Sequence, residues 1–120
     1  LSWIFGDVQE NIVHLKEKTK SSGYLEFQNA RVKWFLSIDE NDLPKEIKSK
    51  GQRTYRSITI DNELLEFSSG FTELHTESYK GILKGNGFGL SDARTSIDIV
   101  HHIRNSEVSS KGDAHYYLKK

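Results

Sequence analysis

The order of the hydrophobic patterns along the chain restricts its fold more than any other feature of the sequence. Every segment typical of a β-strand comes before residue 68, and the helical patterns come after residue 71. Strands followed by helices favour an α+β protein with antiparallel strands, because parallel strands need crossovers, usually helical, between them. We therefore predict an open, mostly antiparallel β-sheet with helices on one face.

Five segments carry the strand signal, and the strongest, 30–38, alternates apolar and polar side chains. The predicted strands are 11–16, 24–27, 30–38, 53–60 and 64–67. Asp61 and Asn62 separate the last two, and a two-residue turn of this type predicts a β-hairpin. Residues 18–23 are predicted as a turn and 39–52 as a loop. Two or three helices cannot cover both faces of five strands, so the open face is expected to meet another domain or another copy.

Two helices are predicted near the end of the chain. The first spans 72–84 and ends before Gly85, a residue suited to a helix C-terminus. The second is expected to be capped by Ser91, with Asp92 in its first turn. One stripe of this second helix is apolar and consists of Ala93, Ile97, Val100 and Ile103. The residues after Asn105 are predicted to be a polar tail with an aromatic anchor at Tyr116 and Tyr117.

Composition excludes several classes of partner. The 120 residues carry 17 basic and 17 acidic side chains, so the neutral chain offers no electrostatic case for nucleic acid or an anionic membrane. No Cys is present, which removes disulfides and a thiol nucleophile and agrees with a cytoplasmic location. No Met is present either, so we interpret Leu1 as an internal residue of a longer protein, with its apolar start continuing an upstream element.

Two motifs suggest a ligand but have simpler explanations. The segment Gly85–Gly89 resembles a phosphate cradle, yet its glycines follow a helix instead of a strand, which favours a helix end and inter-helix turn. His101 and His102 are adjacent on a helix and point about 100° apart, so they are poorly placed to ligate one metal. We predict a structural role for His14, and His115 is uninformative by itself. No metal site is predicted.

The strongest polar cluster lies on the first predicted helix. His75 and Tyr79 are four residues apart and share a helix face, with Thr76 and Ser78 beside them. These side chains can donate hydrogen bonds to a hydroxyl, carboxylate or phosphate, or they can be surface and packing residues. Arg53, Tyr55 and Arg56 on the predicted hairpin allow the same two interpretations, anion contact or cross-strand pairing. No nucleophile–base set and no paired carboxylates are visible.

Six segments together resemble the C-terminal domain of the Gfo/Idh/MocA oxidoreductases. They are WIFG (3–6), GYLEFQNARVKWFLSID (23–39), DLP (42–44), TYRSITID (54–61), EFSSGFTELHTESY (66–79) and GFGLSDAR (87–94). The resemblance covers residues 1–106 and is greatest to UDP-N-acetyl-glucosaminuronate 3-dehydrogenases of lipopolysaccharide and O-antigen sugar synthesis. It implies an α+β domain that helps to form the sugar pocket and a homodimer or homotetramer through its sheet face.

The resemblance also implies what the chain lacks. NAD would be bound by an N-terminal Rossmann domain upstream of Leu1, together with the catalytic residues, so residues 1–10 would follow the catalytic interdomain helix. Residues 11–106 would form the substrate-binding and oligomerisation domain, and 107–120 a tail. The isolated chain is expected to be inactive, without catalytic or cofactor-binding residues of its own. The substrate-binding residues that the resemblance favours are His75, Thr76, Tyr79, Tyr55 and Arg56.

Two alternatives remain open at this point. The chain can be half of an inositol or simple-sugar dehydrogenase, with the same architecture and a different substrate. It can also be a free-standing domain that dimerises through its sheet and serves as a binding or scaffolding module. The chemistry of the intact gene product distinguishes all three.

Overall fold

The computed structural model describes residues 1–69 and 72–119. Within these residues the chain forms five strands and four α-helices. They belong to two compact units, one consisting of Leu1–Ile38 with Phe88–Lys120 and the other of Asp39–Gly87. The named strands pair antiparallel throughout, so the predicted α+β class is confirmed. The five strands do not form one sheet, however, but a three-stranded and a two-stranded one.

The first unit contains the three-stranded sheet in the order β1 (Val8–Lys16), β2 (Lys20–Phe27) and β3 (Arg31–Ser37). The turn predicted at 18–23 is wrong beyond residue 19, because β2 begins at Lys20. The turn was predicted because glycine is common in turns, and Gly23 lies in this segment. A Cβ at Gly23 would lie 2.3 Å from the Ile12 carbonyl oxygen and 2.8 Å from the Trp34 ring. This glycine therefore permits close approach inside a strand and does not form a turn.

The core of the first unit lies on the sheet. Val13, Leu25 and Phe27 are buried, and the Phe27 ring contacts that of Phe5 at 6.1 Å between centroids. Phe5 belongs to α1 (Ser2–Phe5), a single helical turn. Ser22 is also fully buried, and its hydroxyl donates to the Trp34 carbonyl at 2.7 Å, which compensates for its burial.

Helix α4 (Leu90–Asn105) begins two residues earlier than predicted. The prediction that Ser91 is the cap is wrong, because Gly89 occupies that position. The Gly89 amide donates to the Asp92 carboxylate at 2.7 Å, so the side chain in the first turn satisfies the helix end from within. At the other end, the Lys16 ammonium donates to the Arg104 carbonyl at 2.5 Å and joins α4 to β1. The apolar stripe predicted on this helix is largely exposed to solvent, with Ile97 65% exposed.

The second unit begins with short helical turns at Glu40–Asp42 and in α2 (Lys45–Ser49). A hairpin of β4 (Ser57–Ile60) and β5 (Glu63–Glu66) follows. Asp61 and Asn62 have φ of 49° and 69°, which matches the positive values of a type I′ turn and confirms the predicted hairpin. Strand β4 begins four residues later than predicted, since 53–56 are not in the ladder.

Helix α3 (Leu74–Leu83) completes the second unit and ends as predicted before Gly85. Gly85 has a φ of +76° and its amide donates to the Ile82 carbonyl at 3.0 Å. The next amide, of Asn86, donates to the Gly81 carbonyl at 2.9 Å. These two bonds define a Schellman motif, which only a residue tolerant of positive φ closes at low cost.

Candidate functional site

All five predicted substrate-binding residues lie in the second unit. His75, Thr76 and Tyr79 are on α3, and all three are exposed, Tyr79 with 67% of its surface accessible. His75 and Tyr79 are one turn apart on the same side of the helix, as their spacing predicted. The imidazole and phenol groups are therefore accessible to a ligand from outside the unit.

Local interactions fix the helix that carries these side chains. The Lys80 ammonium lies 2.8 Å from the Glu77 carboxylate, on the turn that also carries Thr76 and Tyr79. At the start of α3, Glu73 adopts a left-handed conformation with a φ of 66°, and its carbonyl accepts from the Glu77 amide at 2.9 Å. A non-glycine residue rarely has a positive φ, so the entry into α3 is a specific conformation that the sequence did not indicate.

Tyr55 and Arg56 lie just before β4 instead of within it. Tyr55 is partly buried and Arg56 is exposed. The backbone of Arg56 is held at both polar groups: its carbonyl accepts from the Phe67 amide at 2.9 Å, and its amide donates to the Ser68 hydroxyl at 2.8 Å. The base of the hairpin therefore fixes the position from which the Arg56 side chain extends.

Sequence reasoning missed the polar network that completes this base. The Ser68 amide donates to the Glu66 carboxylate at 3.1 Å. Hydrogen bonds from Ser68, first from its hydroxyl and then from its amide, lower the pKa of the Glu66 carboxyl below its ordinary value. A serine two residues after a glutamate is too common a pattern to be singled out from sequence. In the structure the pair closes the hairpin behind Arg56.

The two groups of predicted residues lie on different elements. His75, Thr76 and Tyr79 are on α3, whereas Tyr55 and Arg56 are at the base of the hairpin, and the connection between them runs through Gly70 and Phe71. These two residues, which belong to one of the segments that carry the family resemblance, lie outside the described part of the chain.

Chemically, the five predicted substrate-binding residues provide a guanidinium, an imidazole and three hydroxyl groups. These groups suit an anionic, hydroxyl-rich ligand.

The glycine-rich segment does not fit the pyrophosphate of a dinucleotide. Gly85 ends α3, and a Cβ at Gly87 would lie 3.0 Å from the Ile82 side chain, so both glycines serve the turn. The Gly89 amide at the start of α4 is taken by the Asp92 carboxylate, whose negative charge opposes a phosphate there. The interpretation of this segment as a helix end and inter-helix turn is confirmed.

The histidines elsewhere have structural partners. The Asn105 amide nitrogen lies 3.3 Å from His101 Nε2, one turn along α4. His14 Nε2 lies 2.7 Å from the Lys111 carbonyl oxygen, which agrees with the predicted structural role. Over the residues that the structure covers, no three His, Cys, Asp or Glu side chains are grouped to hold a metal ion. Over the same residues, no helix has the length and hydrophobicity to cross a membrane.

Together these features define an α+β domain with a polar surface on one helix and a hairpin base. No model of a known protein family matches the chain. Solved structures of a dehydrogenase, however, match nearly the whole chain. The WlbA (WbpB) dehydrogenase from Thermus thermophilus, in complex with NAD and alpha-ketoglutarate, matches with 45% identity and a TM-score of 0.91 over 98% of this chain. The same dehydrogenase in complex with NAD and UDP-GlcNAcA matches with 42% identity, also over 98% of this chain and with a TM-score of 0.91.

The chain spans 38–39% of the length of these structures. At this identity and structural similarity, the predicted resemblance to the C-terminal domain of this branch of dehydrogenases is confirmed. Both complexes contain NAD and one contains UDP-GlcNAcA, so a nucleotide-sugar ligand belongs to a protein that this chain is similar to.

Proposed function

We propose that this chain is the substrate-binding and self-association half of an NAD-dependent dehydrogenase that oxidises a UDP-linked uronic acid, UDP-N-acetyl-glucosaminuronate, at C3. The single observation that carries the proposal is the 42% identity over 98% of the chain to a dehydrogenase in complex with UDP-GlcNAcA. NAD chemistry is assigned to the remainder of the complete protein, because the glycine-rich segment of this chain does not suit a pyrophosphate.

The proposed substrate surface consists of His75, Thr76 and Tyr79 on α3 together with Tyr55 and Arg56. A UDP-linked uronic acid carries a diphosphate, a carboxylate and several hydroxyl groups. A guanidinium is the preferred partner of carboxylate and phosphate oxygens, because it donates two parallel hydrogen bonds. The hydroxyl and imidazole groups of the other residues donate to or accept from sugar hydroxyls. In this proposal they hold the sugar in position, and they do not transfer the hydride.

The exposed apolar side chains support a role within a larger assembly. In the second unit, side chains of the hairpin and of α3 are more than half exposed although they are large and apolar. They are Ile60, Leu64, Leu65, Leu74, Ile82 and Leu83. Apolar surface of this extent commonly marks an interaction site. We assign it to contacts within the complete protein or between its copies, in agreement with the expected homodimer or homotetramer.

The test is to express the complete gene product and follow the absorbance of reduced cofactor with UDP-N-acetyl-glucosaminuronate, free sugars and inositol. A 2-oxo acid is added in parallel, since the similar dehydrogenase forms a complex with alpha-ketoglutarate and tightly held reduced cofactor can hide turnover. Turnover with the UDP-sugar alone supports the proposal. Turnover only with free polyols assigns the chain to an inositol or simple-sugar dehydrogenase, and no turnover with or without the acceptor favours the scaffold alternative.

The isolated 120 residues provide the complementary test. We expect no dehydrogenase activity and negligible affinity for NAD from this chain by itself. Calorimetric titration with NAD and the same absorbance assay measure both properties. Turnover by the isolated chain would contradict the assignment of catalysis to the rest of the protein.

A further inference from the structure

The C-terminal segment of the first unit, residues 106–119, is attached to the sheet and is called the strap below. It begins where α4 ends, and the Asn11 side-chain amide donates to the Ser106 hydroxyl at 2.9 Å. Val108 then forms a parallel bridge with Val13, and the Ser109 amide donates to the Val13 carbonyl at 2.8 Å. The first part of the strap therefore extends the sheet along the edge formed by β1.

The strap next turns onto the sheet face that carries Ile12. His14 Nε2 lies 2.7 Å from the Lys111 carbonyl oxygen, and because a carbonyl only accepts, this nitrogen carries the proton. A Cβ at Gly112 would lie 3.5 Å from the Ile12 side chain, so the strap backbone runs directly over this residue. Ile12 is paired with Tyr24 in the register, which places both on the face that the strap crosses.

The far end of the strap is attached to β3 by charge and by ring stacking. The Asp113 carboxylate bridges Lys33 of β3 and Lys119, the latter at 2.6 Å. The Tyr117 ring stacks on Phe35 of β3 with centroids 5.0 Å apart, and the His115 ring lies 5.9 Å from Phe35. All the main attachments of the strap are thus polar, ionic or aromatic.

The strap is less buried than the sheet beneath it. Val108 and Tyr116 are each 57% exposed, whereas Val13 and Leu25 are nearly inaccessible. Segments with few buried apolar contacts open locally at a lower free energy than the core. The strap is therefore expected to open at a lower free energy than the sheet.

His115 makes that opening sensitive to acid. The charged groups around it are Lys33 from β3 and Asp113 and Lys119 from the strap, and its ring also contacts Tyr116 and Tyr117. The Tyr117 amide donates to His115 Nδ1 at 3.3 Å, and a ring that is protonated at Nδ1 cannot accept this hydrogen bond. Partial burial, and to a smaller extent the Lys33 charge, also lower the pKa of His115 below 6.5. A lowered pKa in the attached state means that attachment is fully favourable above about pH 6.5 and weakens as the pH falls below it.

We propose that residues 106–119 act as an acid-sensitive strap, which opens as a unit when His115 is protonated and uncovers the sheet face around Ile12, Tyr24 and Phe35. The inference is independent of the substrate, because each contact on which it rests lies within the first unit. It concerns access to a surface of the sheet and not the chemistry of the dehydrogenase.

Hydrogen exchange of the full chain, followed by mass spectrometry and corrected for intrinsic rates, tests the proposal between pH 7.5 and 5.5. Peptides from the strap are expected to lose protection by up to about tenfold per pH unit below 6.5, since one proton is coupled to opening. Peptides from β2 are expected to keep their protection. His115→Phe preserves a ring that can stack but cannot be protonated, so its strap is expected to show no pH dependence in this range.

His102→Gln is the matched control, because His102 is an exposed histidine on α4 whose side chain lies outside the strap. This variant is expected to retain the pH dependence of the original chain. Equal protection of the strap at both pH values would overturn the proposal. So would an unchanged pH dependence in His115→Phe, or a loss of protection in β2 that parallels that of the strap.

Discussion

The two units of this chain differ in how many large apolar side chains they bury, although both also expose several. The first unit buries Val13, Leu25 and Phe27 against its three-stranded sheet. In the second, Ile47 is the one large apolar side chain that is buried among the described residues, while the hairpin and α3 expose most of theirs. The first unit is therefore stabilised by its own core. The second buries one large apolar residue among those described and contains two well-defined backbone motifs, the type I′ turn of the hairpin and the Schellman motif that ends α3.

The residues that form the main core and the residues proposed to bind the substrate therefore lie in different units of the chain. The residues proposed to bind substrate all lie in the second unit, where Ile47 is the one large apolar side chain buried among the described residues. Binding residues are commonly placed on such segments, because a packed core leaves no side chains free for a ligand. Matched substitutions in the two units test whether stability depends more on the first unit than on the second.

The largest contrast is expected from the same substitution in both units. Leu25→Ala removes a buried side chain and is expected to lower the free energy of unfolding by about 2–5 kcal/mol. Leu65→Ala removes one that is 58% exposed, and a change within about 0.5 kcal/mol is expected. Urea denaturation of the 120-residue chain measures both. An equal cost for the two variants would show that β5 is packed as tightly as β2.

Substituting alanine for one glycine in each unit is expected to change the free energy of unfolding in opposite directions. Gly23→Ala forces a Cβ against the Ile12 carbonyl and Trp34, and a loss of about 1–3 kcal/mol is expected from this overpacking. At Gly81 in α3 the nearest atom to a new Cβ is the Asn86 carbonyl oxygen at 3.7 Å. Gly81→Ala is therefore expected to stabilise the chain by about 0.5–1 kcal/mol through helix propensity. Thermal unfolding measures both variants, and unfolding temperatures that shift in the same direction for the two would contradict this prediction.

A smaller effect is expected at the base of the hairpin. Ser68→Ala removes the acceptor of the Arg56 amide, which should cost about 0.5–1.5 kcal/mol. It also removes a hydroxyl donor to Glu66. It should also raise the pKa of the Glu66 carboxyl toward 4.5, which carboxyl chemical shifts report. Ser69→Ala, at the exposed neighbouring position, is the control and should leave that pKa unchanged. A Glu66 that titrates identically in both variants would exclude Ser68 as the cause.

The smallest effect is expected from the ion bridge of the strap. Hydrogen bonds and charge from Lys119 and Lys33 lower the pKa of Asp113 to about 2. Because this folded value is below 3.8, the bridge is complete above pH 3.8 and is lost as the pH falls toward 2. Asp113→Asn should remove this acid dependence and slightly increase exchange of strap amides at neutral pH, less so at high salt. A strap with identical exchange at all salt concentrations would argue against the bridge.

Local patterns predicted most of the secondary structure, because each depends on neighbouring residues. Asp61 and Asn62 specified their turn, and Gly85 specified the end of α3. Errors arose where a distant part of the chain decides the outcome. Gly23 was interpreted as a turn residue because its neighbours Ile12 and Trp34 in space are not its neighbours in sequence. The division into two sheets is likewise invisible to strand patterns, which do not state which strands pair.

The candidate site could be predicted in part for the same reason. The positions of His75 and Tyr79 on one face of a helix followed from their spacing. The location of Tyr55 and Arg56 before β4 did not, because Ser68 competes with the strand for the Arg56 amide. The left-handed conformation of Glu73 had no sequence signal at all. Substrate contact by these residues was implied by the family resemblance and remains a prediction.

The most direct test of the central claim is steady-state kinetics of the complete protein carrying Tyr79→Phe or His75→Ala. If α3 holds the UDP-sugar, kcat/KM for that substrate should fall about tenfold or more for each lost hydrogen bond, with the KM for NAD and the unfolding temperature unchanged. Tyr116→Phe changes another exposed tyrosine, outside the proposed site, and should have no effect. If both α3 variants match Tyr116→Phe in kcat/KM for the UDP-sugar, the assignment of substrate binding to this helix is contradicted.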